Sequence, residues 1–227
     1  MLPVRHNSAM RTTDTVHVVR GEEEVFLRTA HLFETATDIR CAANNFATWT
    51  WVRAQGGQAA GQEPRREGLR VRKLYRSGML LDPTWARRIA TARDRHGAQV
   101  RVATEEINET IILDGRVAIL AGDQQAGERS YSLISQPETV QGVSSLFEAA
   151  WRSATELDVY DARVAEIRQI APQVLDLLGQ GVKDEAAART LGLGVRTYRR
   201  RVAELMDALG ADSRFQAGLR ARELGLV

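Results

Sequence analysis

The stretch from Asp184 to Leu209, DEAAARTLGLGVRTYRRRVAELMDAL, decides how the rest of the chain is read. It opens with helix formers of small volume, and Ala186, Ala187 and Ala188 permit a close crossing with a neighbouring helix. Leu191-Gly192-Leu193 then supplies a turn in which glycine can take a left-handed conformation while the leucines face inward. From Val195 a second helical pattern places Tyr198, Val202, Leu205 and Leu209 on one stripe and Arg196, Arg199, Arg200 and Ala203 on the other. Helix, glycine turn and helix at this spacing predict a helix-turn-helix unit. Between Gly194 and Ala203 stand four arginines and no acid; Glu204, Asp207 and Asp212 come only later. Charge gathered on the first two turns of a helix suits the major groove of DNA, where arginine matches the O6/N7 edge of guanine. A basic run by itself is more often a solvated helix face, and the turn in front of this one is what favours DNA.

Working outward, the whole chain after about residue 156 keeps a helical period. It is interrupted only at Gly179 to Gly181, Leu191 to Gly194 and Gly210 to Ser213, so four small helices are expected. Pro172 is expected to head the first, through Val174, Leu175, Leu177 and Leu178, and Asp184 to cap the second. Before Pro172, Val159, Val164 and Ile167 predict a helical connector over residues 156–169.

The front half has another grammar. Val25, Phe26, Ala30, Leu32, Phe33 and Ala36 predict a helix from Glu22 to about Thr37, and Ile39 and Cys41 a short strand. Residues 53–69, rich in glycine and charge, read as an exposed loop. A strand from Val71 to Met79, a helix capped by Asp82-Pro83 and closed by Gly97, and a strand through Val100 and Val102 follow; Trp85, Ile89 and Ala92 form the helix's inner stripe. Asp114-Gly115 joins Thr110–Leu113 to Arg116–Leu120 as a tight hairpin, because both turn residues tolerate positive φ. A strand from Tyr131 to Ile134 and a helix from Pro137, with Val140, Val143, Phe147, Ala150 and Trp151 inward, complete an α/β pattern. Residues 1–20 show no period and read as a mobile lead-in.

Composition narrows the function classes. The 227 residues carry 31 Lys and Arg against 29 Asp and Glu, a net charge of +2, so any basic character is local. One cysteine, Cys41, excludes an internal disulfide framework, and His6, His17, His31 and His96 show no ligand spacing, so neither metal nor other cofactor is expected. No apolar run approaches the roughly 18 residues of a membrane span, and a cytoplasmic protein without membrane contact is expected. Trp49, Trp51, Trp85 and Trp151 are expected in the core, and the Glu105-Glu106 pair in solvent.

Residues 167–227 resemble the LuxR/GerE-type DNA-binding module. The resemblance is carried by Val174-Leu175-Asp176-Leu177-Leu178, Gly181, Ala188-Arg189, Leu191-Gly192, Arg196-Thr197, Val202, Leu209-Gly210, Ser213-Arg214, Gln216-Ala217 and Leu224-Gly225-Leu226. It implies a four-helix domain binding double-stranded DNA as a homodimer, with helix three in the major groove and helix four forming much of the dimer contact. It further implies base contacts at Arg199, Arg200 and Ala203, and phosphate contacts at Lys183, Arg196, Thr197 and Arg201. The chain departs from the family pattern at Ala171, where an acid is usual, at Tyr198, usually aliphatic, at Arg201, often histidine, and at Ala208, often lysine.

Residues 22–155 resemble, more weakly, the phospholipase-D-like domain of TrmB-like regulators. The carrying segments are Val71-Arg72-Lys73-Leu74-Tyr75, the helix from Pro83, Gly97 to Val102, and Thr110 to Ile119. The catalytic signature of that superfamily is His-x-Lys-x-x-x-x-Asp; anchored on Asp114, its first two positions are Ile107 and Glu109. Neither can attack or clamp a phosphodiester.

The expectation is therefore a two-domain regulator of transcription and not an enzyme. It comprises a lead-in (1–20), a degenerate phospholipase-D-like α/β domain for dimerisation or sensing (21–155), a connector (156–169) and an all-α helix-turn-helix domain (170–227). An unidentified small-molecule or peptide effector and RNA polymerase are further candidate partners. The alternatives are a phosphodiesterase or nuclease using the front domain, and a protein-binding adaptor.

Overall fold

A computed structural model describes residues 16–43, 67–105, 107–125 and 128–227. Trp49, Trp51, Glu106, most of the lead-in and nearly all of the glycine-rich loop lie outside the described residues, as does the side chain of Ala92. Eight strands form one mixed sheet: β1 (Val16–Arg20), β2 (Asp38–Ala43), β3 (Arg70–Arg76), β4 (Gln99–Ala103), β5 (Thr110–Leu113), β6 (Val117–Gln125), β7 (Glu128–Ile134) and β8 (Thr155–Glu156). Their order is β1-β7-β6-β5-β2-β3-β4-β8. Strands β2, β3 and β4 run parallel, with Cys41 opposite Lys73 and Lys73 opposite Val100; every other pairing is antiparallel.

Seven α-helices are described: α1 (Glu22–Thr35), α2 (Pro83–His96), α3 (Pro137–Ser153), α4 (Leu157–Gly179), α5 (Asp184–Thr190), α6 (Val195–Leu209) and α7 (Arg214–Glu223). Local chemistry sets several boundaries. The Asp82 carboxylate accepts from the amides of Thr84 and Trp85, with Pro83 inside the first turn, and Gly97 closes α2 at φ 59°. Asp114 and Gly115 take φ 51° and 64°, which makes the β5–β6 connection the two-residue turn the sequence predicts.

The sheet separates two apolar layers. Ala42, Leu74, Ile112, Ala118 and Ile134 meet Val140, Phe147 and Trp151 of α3 on one face. The other face, with Tyr75, Val102, Ile111, Ile119 and Tyr131, packs on α1, α2 and α4. This second cluster continues without a break into Tyr198, Val202, Leu205, Leu209 and Ala217 of α6 and α7. The α/β portion and the helical portion therefore share one core.

Strand β6 runs on to Gln125 and β7 starts at Glu128, beyond the expected Leu120 and Tyr131, and four other differences from the sequence reading each have a physical reason. Residues 16–20, expected as lead-in, form an edge strand that buries Val19 while Val16 and Val18 face out, an alternation too short to be seen without its partner β7. The strand expected to reach Met79 stops at Arg76, and Ser77–Leu81 is a fully buried 3₁₀ turn. At Gly78 a Cβ would lie 2.4 Å from Leu224 Cδ1 and 3.2 Å from Leu209 Cδ2, so the missing side chain lets the helical portion approach. Thr155–Glu156 adds a two-residue strand to β4. Finally, Pro172 does not head a helix: α4 runs through it, so the expected connector and first module helix are one element. Interior proline costs about 3 kcal/mol, and the buried stripe Val164, Ile167, Ala171, Val174 and Leu175 offsets that.

Candidate nucleic-acid interface

Helix α5 ends in a left-handed Gly192 at φ 66°. The amides of Leu193 and Gly192 bond the carbonyls of Ala188 (2.8 Å) and Arg189 (3.1 Å), a double closure that fixes the angle at which α6 departs. Gly210 ends α6 the same way, with Ala211 bonded to Met206 at 2.8 Å and Gly210 to Asp207 at 2.9 Å. Ser213 then caps α7 by accepting from the Gln216 amide, while the Gln216 side chain accepts from the Asp212 amide.

The faces of α6 fall as the spacing predicts. Tyr198, Val202, Leu205 and Leu209 are buried, and Arg196, Arg199, Arg200 and Ala203 are exposed. The arginine side chains retain 59% exposure at Arg199 and 63% at Arg200. Lys183, the N-cap of α5, is exposed, and Thr197, next to Arg196 on α6, is half-buried. Neither Lys183 nor Arg196 forms an ion pair among the described residues.

Carboxylates distinguish the remaining cations. Arg201, next in sequence to two exposed arginines, keeps only 18% exposure. Its terminal nitrogens hold Glu204 at 2.7 Å and Glu166 of α4 at 2.6 Å, and the Glu204 bond, then the Glu166 bond, raise its pKa further. Arg200 faces Glu204 at a looser 3.6 Å. Asp184 is the residue whose role the sequence reading missed. The N-cap of α5 is Lys183, without a side-chain cap bond, and the Asp184 carboxylate turns instead to Arg214 and Arg199. Charge-assisted bonds to two guanidinium groups outweigh one cap bond. The Arg214 bond, then the Arg199 bond, hold its pKa down to about 2. The only sequence signal was the acidic pair Asp184-Glu185 ahead of a basic helix, since the partners of Asp184 stand 15 and 30 positions away.

In the front half, Asp114 is structural: its Oδ1 accepts from the amides of Thr37 and Asp38, each at 2.8 Å, and from the Thr37 hydroxyl at 3.0 Å. Desolvation opposes its charge, but these amides outweigh it and keep its pKa below the usual range. Glu109 is buried and paired with Arg129 at 2.5 Å. Ile107 packs against the apolar layer under α3. Burial pushes the Cys41 thiol up to about 11, with Lys73 opposing, so it is a poor nucleophile. Trp151 is buried and stacks on Phe147 with centroids 5.9 Å apart, Trp85 is half-buried and Glu105 exposed. Among the described residues, no helix is long and apolar enough to cross a membrane, and no group of His, Cys, Asp and Glu is arranged to hold a metal ion.

No family model matches the chain. It is 37% identical over 134 residues to the bialaphos biosynthetic pathway regulatory protein of Streptomyces hygroscopicus, a match covering 58% of this chain and 52% of that relative. The chain thus spans about half the length of the curated relative it matches. Among solved structures it is similar to TrmBL2, an archaeal chromatin protein, at 19% identity and TM-score 0.48, covering 64% of this chain and 55% of that one. It is also similar to Nuc of Salmonella typhimurium, a phospholipase D family member, at 15% identity and TM-score 0.43, covering 62% and 96%.

Proposed function

We propose that this chain is a sequence-specific regulator of transcription that grips duplex DNA with α6 and acts as a homodimer. The observation that carries the reading is the outward arginine face of α6, set at the N-terminal end of a helix whose opposite face is locked into the core. A regulatory protein among its relatives supports the same reading. In this arrangement Arg199, Arg200 and Ala203 meet base edges, while Lys183, Arg196 and Thr197 meet phosphates. Arg201 would have to exchange two carboxylates for a phosphate, so its first task is to hold α6 on α4. The exposed Phe215 and Leu219, four residues apart on α7, are the surface for the second copy.

The front half serves as scaffold and dimer support rather than as a catalyst. A buried, arginine-paired Glu109 stands where the phospholipase D signature needs lysine, and an apolar Ile107 where it needs histidine. The test is selection of duplexes from a random pool by the full chain, followed by titration of the enriched and scrambled duplexes. Enrichment of a two-fold-related sequence, lost in Arg199→Ala/Arg200→Ala, supports the proposal; no enrichment overturns it. Turnover of a generic phosphodiester by the pure chain would restore the nuclease reading.

A further inference from the structure

The carboxylate of Asp184 is largely shielded, with 14% of its side chain exposed, although both its partners are surface arginines. Arg214 of α7 approaches it through both terminal nitrogens, at 2.7 and 3.2 Å. Arg199 of α6 gives it only its Nε, at 2.8 Å, with Glu185 3.6 Å from one terminal nitrogen. The two guanidinium groups are thus used differently. Arg214 is spent end-on, whereas Arg199 commits its Nε and leaves its terminal nitrogens with no partner closer than Glu185 at 3.6 Å. That end, faced only loosely by Glu185, is the pair of donors that a guanine O6/N7 edge accepts. Beneath them Tyr198 is fully buried with a hydroxyl that has no hydrogen-bond partner among the described residues. The floor under this triad is therefore set by packing, and Asp184 is the polar group that ties α5, α6 and α7 together at this point.

Resting on the DNA-binding reading above, we infer that Asp184 is a positioning residue for specificity: it fixes the Arg199 guanidinium end-on and keeps both arginines from binding phosphate indiscriminately. An arginine held by Nε to a carboxylate loses rotamer freedom before binding, so less is lost when it meets a base. The same carboxylate removes one unit of positive charge from the surface facing DNA, which lowers affinity for every sequence alike. Asp184 thus trades general affinity for discrimination.

The experiment uses the full chain and the duplex that wild type enriches, beside a scrambled duplex of equal length. In Asp184→Ala, discrimination between the two should fall about tenfold, within the range of one bidentate base contact. Scrambled-duplex binding should tighten, and the salt slope should steepen by about one counterion. Asp184→Asn, which keeps the shape and one acceptor oxygen, should lie between. An unchanged ratio and slope in a folded Asp184→Ala protein overturns the inference. So does a proportional loss on both duplexes, or failure of both variants to fold, since each assigns Asp184 to the scaffold. If wild type enriches no duplex, the DNA-binding reading itself has failed, a result separate from all of these.

Discussion

Two arginine-rich segments, Arg70–Arg76 (RVRKLYR) and Val195–Val202 (VRTYRRRV), look alike in composition and behave differently in the fold. On β3 the alternation of a strand sends Arg72 under α3, where it meets both oxygens of Glu148 at 2.8 and 3.0 Å. There it also lies over the rings of Phe147 and Trp151, 5.7 and 5.6 Å from their centroids. Arg40 joins the same network through Asp38 at 2.8 Å and Glu148 at 3.4 Å. On α6 the helical period gathers Arg196, Arg199 and Arg200 on one exposed face. The first set staples a helix to a sheet, and the second stays exposed to solvent. The period of the backbone, more than the count of charges, separates the arginines that are packed from those that are exposed.

The comparison breaks most visibly at Arg72. Arg72→Ala leaves Glu148 with only the longer pair to Arg40 and removes two cation–π contacts, so the chain should lose about 3 kcal/mol of stability, the lower end for breaking a buried pair because Glu148 is one-third exposed and keeps one cation. Chemical denaturation checks this, and the DNA affinity of the remaining folded protein should match wild type. The reverse profile belongs to Arg199→Ala. Stability should change by less than about 1 kcal/mol, while discrimination between the enriched and scrambled duplexes drops by about 1 to 3 kcal/mol. If Arg199→Ala unfolded the chain while Arg72→Ala changed sequence preference, the division between the two regions would be wrong.

Acid should weaken both regions. The bond from Arg72 holds the Glu148 pKa below its usual range, and bonds from Arg214 and Arg199 hold Asp184 at about 2. Each carboxylate is more acidic in the folded chain than in the unfolded one. Its stabilisation is therefore complete above about pH 5 and lost as pH falls through the folded values. For Asp184 the loss should be about 1 to 2 kcal/mol between pH 5 and pH 2, reduced by the exposure of its arginines. Denaturation midpoints across that range, compared with Asp184→Asn, check the sign: the variant should show a shallower dependence.

Much of this was legible in local pattern. The Asp114-Gly115 turn, the Asp82 cap, the Gly192 turn and the two faces of α6 each depend on residues within one or two helical turns, and the structure has them as the sequence predicts. What escaped depends on partners distant in the chain. Edge strand β1 exists because β7 pairs with it, more than a hundred residues on. The 3₁₀ turn at Ser77 carries Gly78, where Leu209 and Leu224 leave no room for a side chain, and α4 keeps its course through Pro172 because one buried stripe spans the break. Asp184 belongs to the same class, since its significance appears only when three helices close on it.

Arg201 is the case that falls between the two regions, and it yields the smallest expected effect. By sequence it belongs with Arg199 and Arg200. By exposure, 18%, and by its two carboxylate partners, it behaves like Arg72. Its partners are themselves solvated, Glu166 at 75% and Glu204 at 38%, so the pairs are screened and Arg201→Ala should cost only about 0.5 to 1 kcal/mol. The sharper readout is salt dependence. Arg196 has no ion pair among the described residues, and Arg196→Ala should reduce the slope of log affinity against log salt by about one. Arg201→Ala should leave that slope unchanged, because its guanidinium already faces protein carboxylates. An equal fall in both variants would mean that Arg201 gives up Glu166 and Glu204 for phosphate on binding, and would move it into the set of arginines that face DNA.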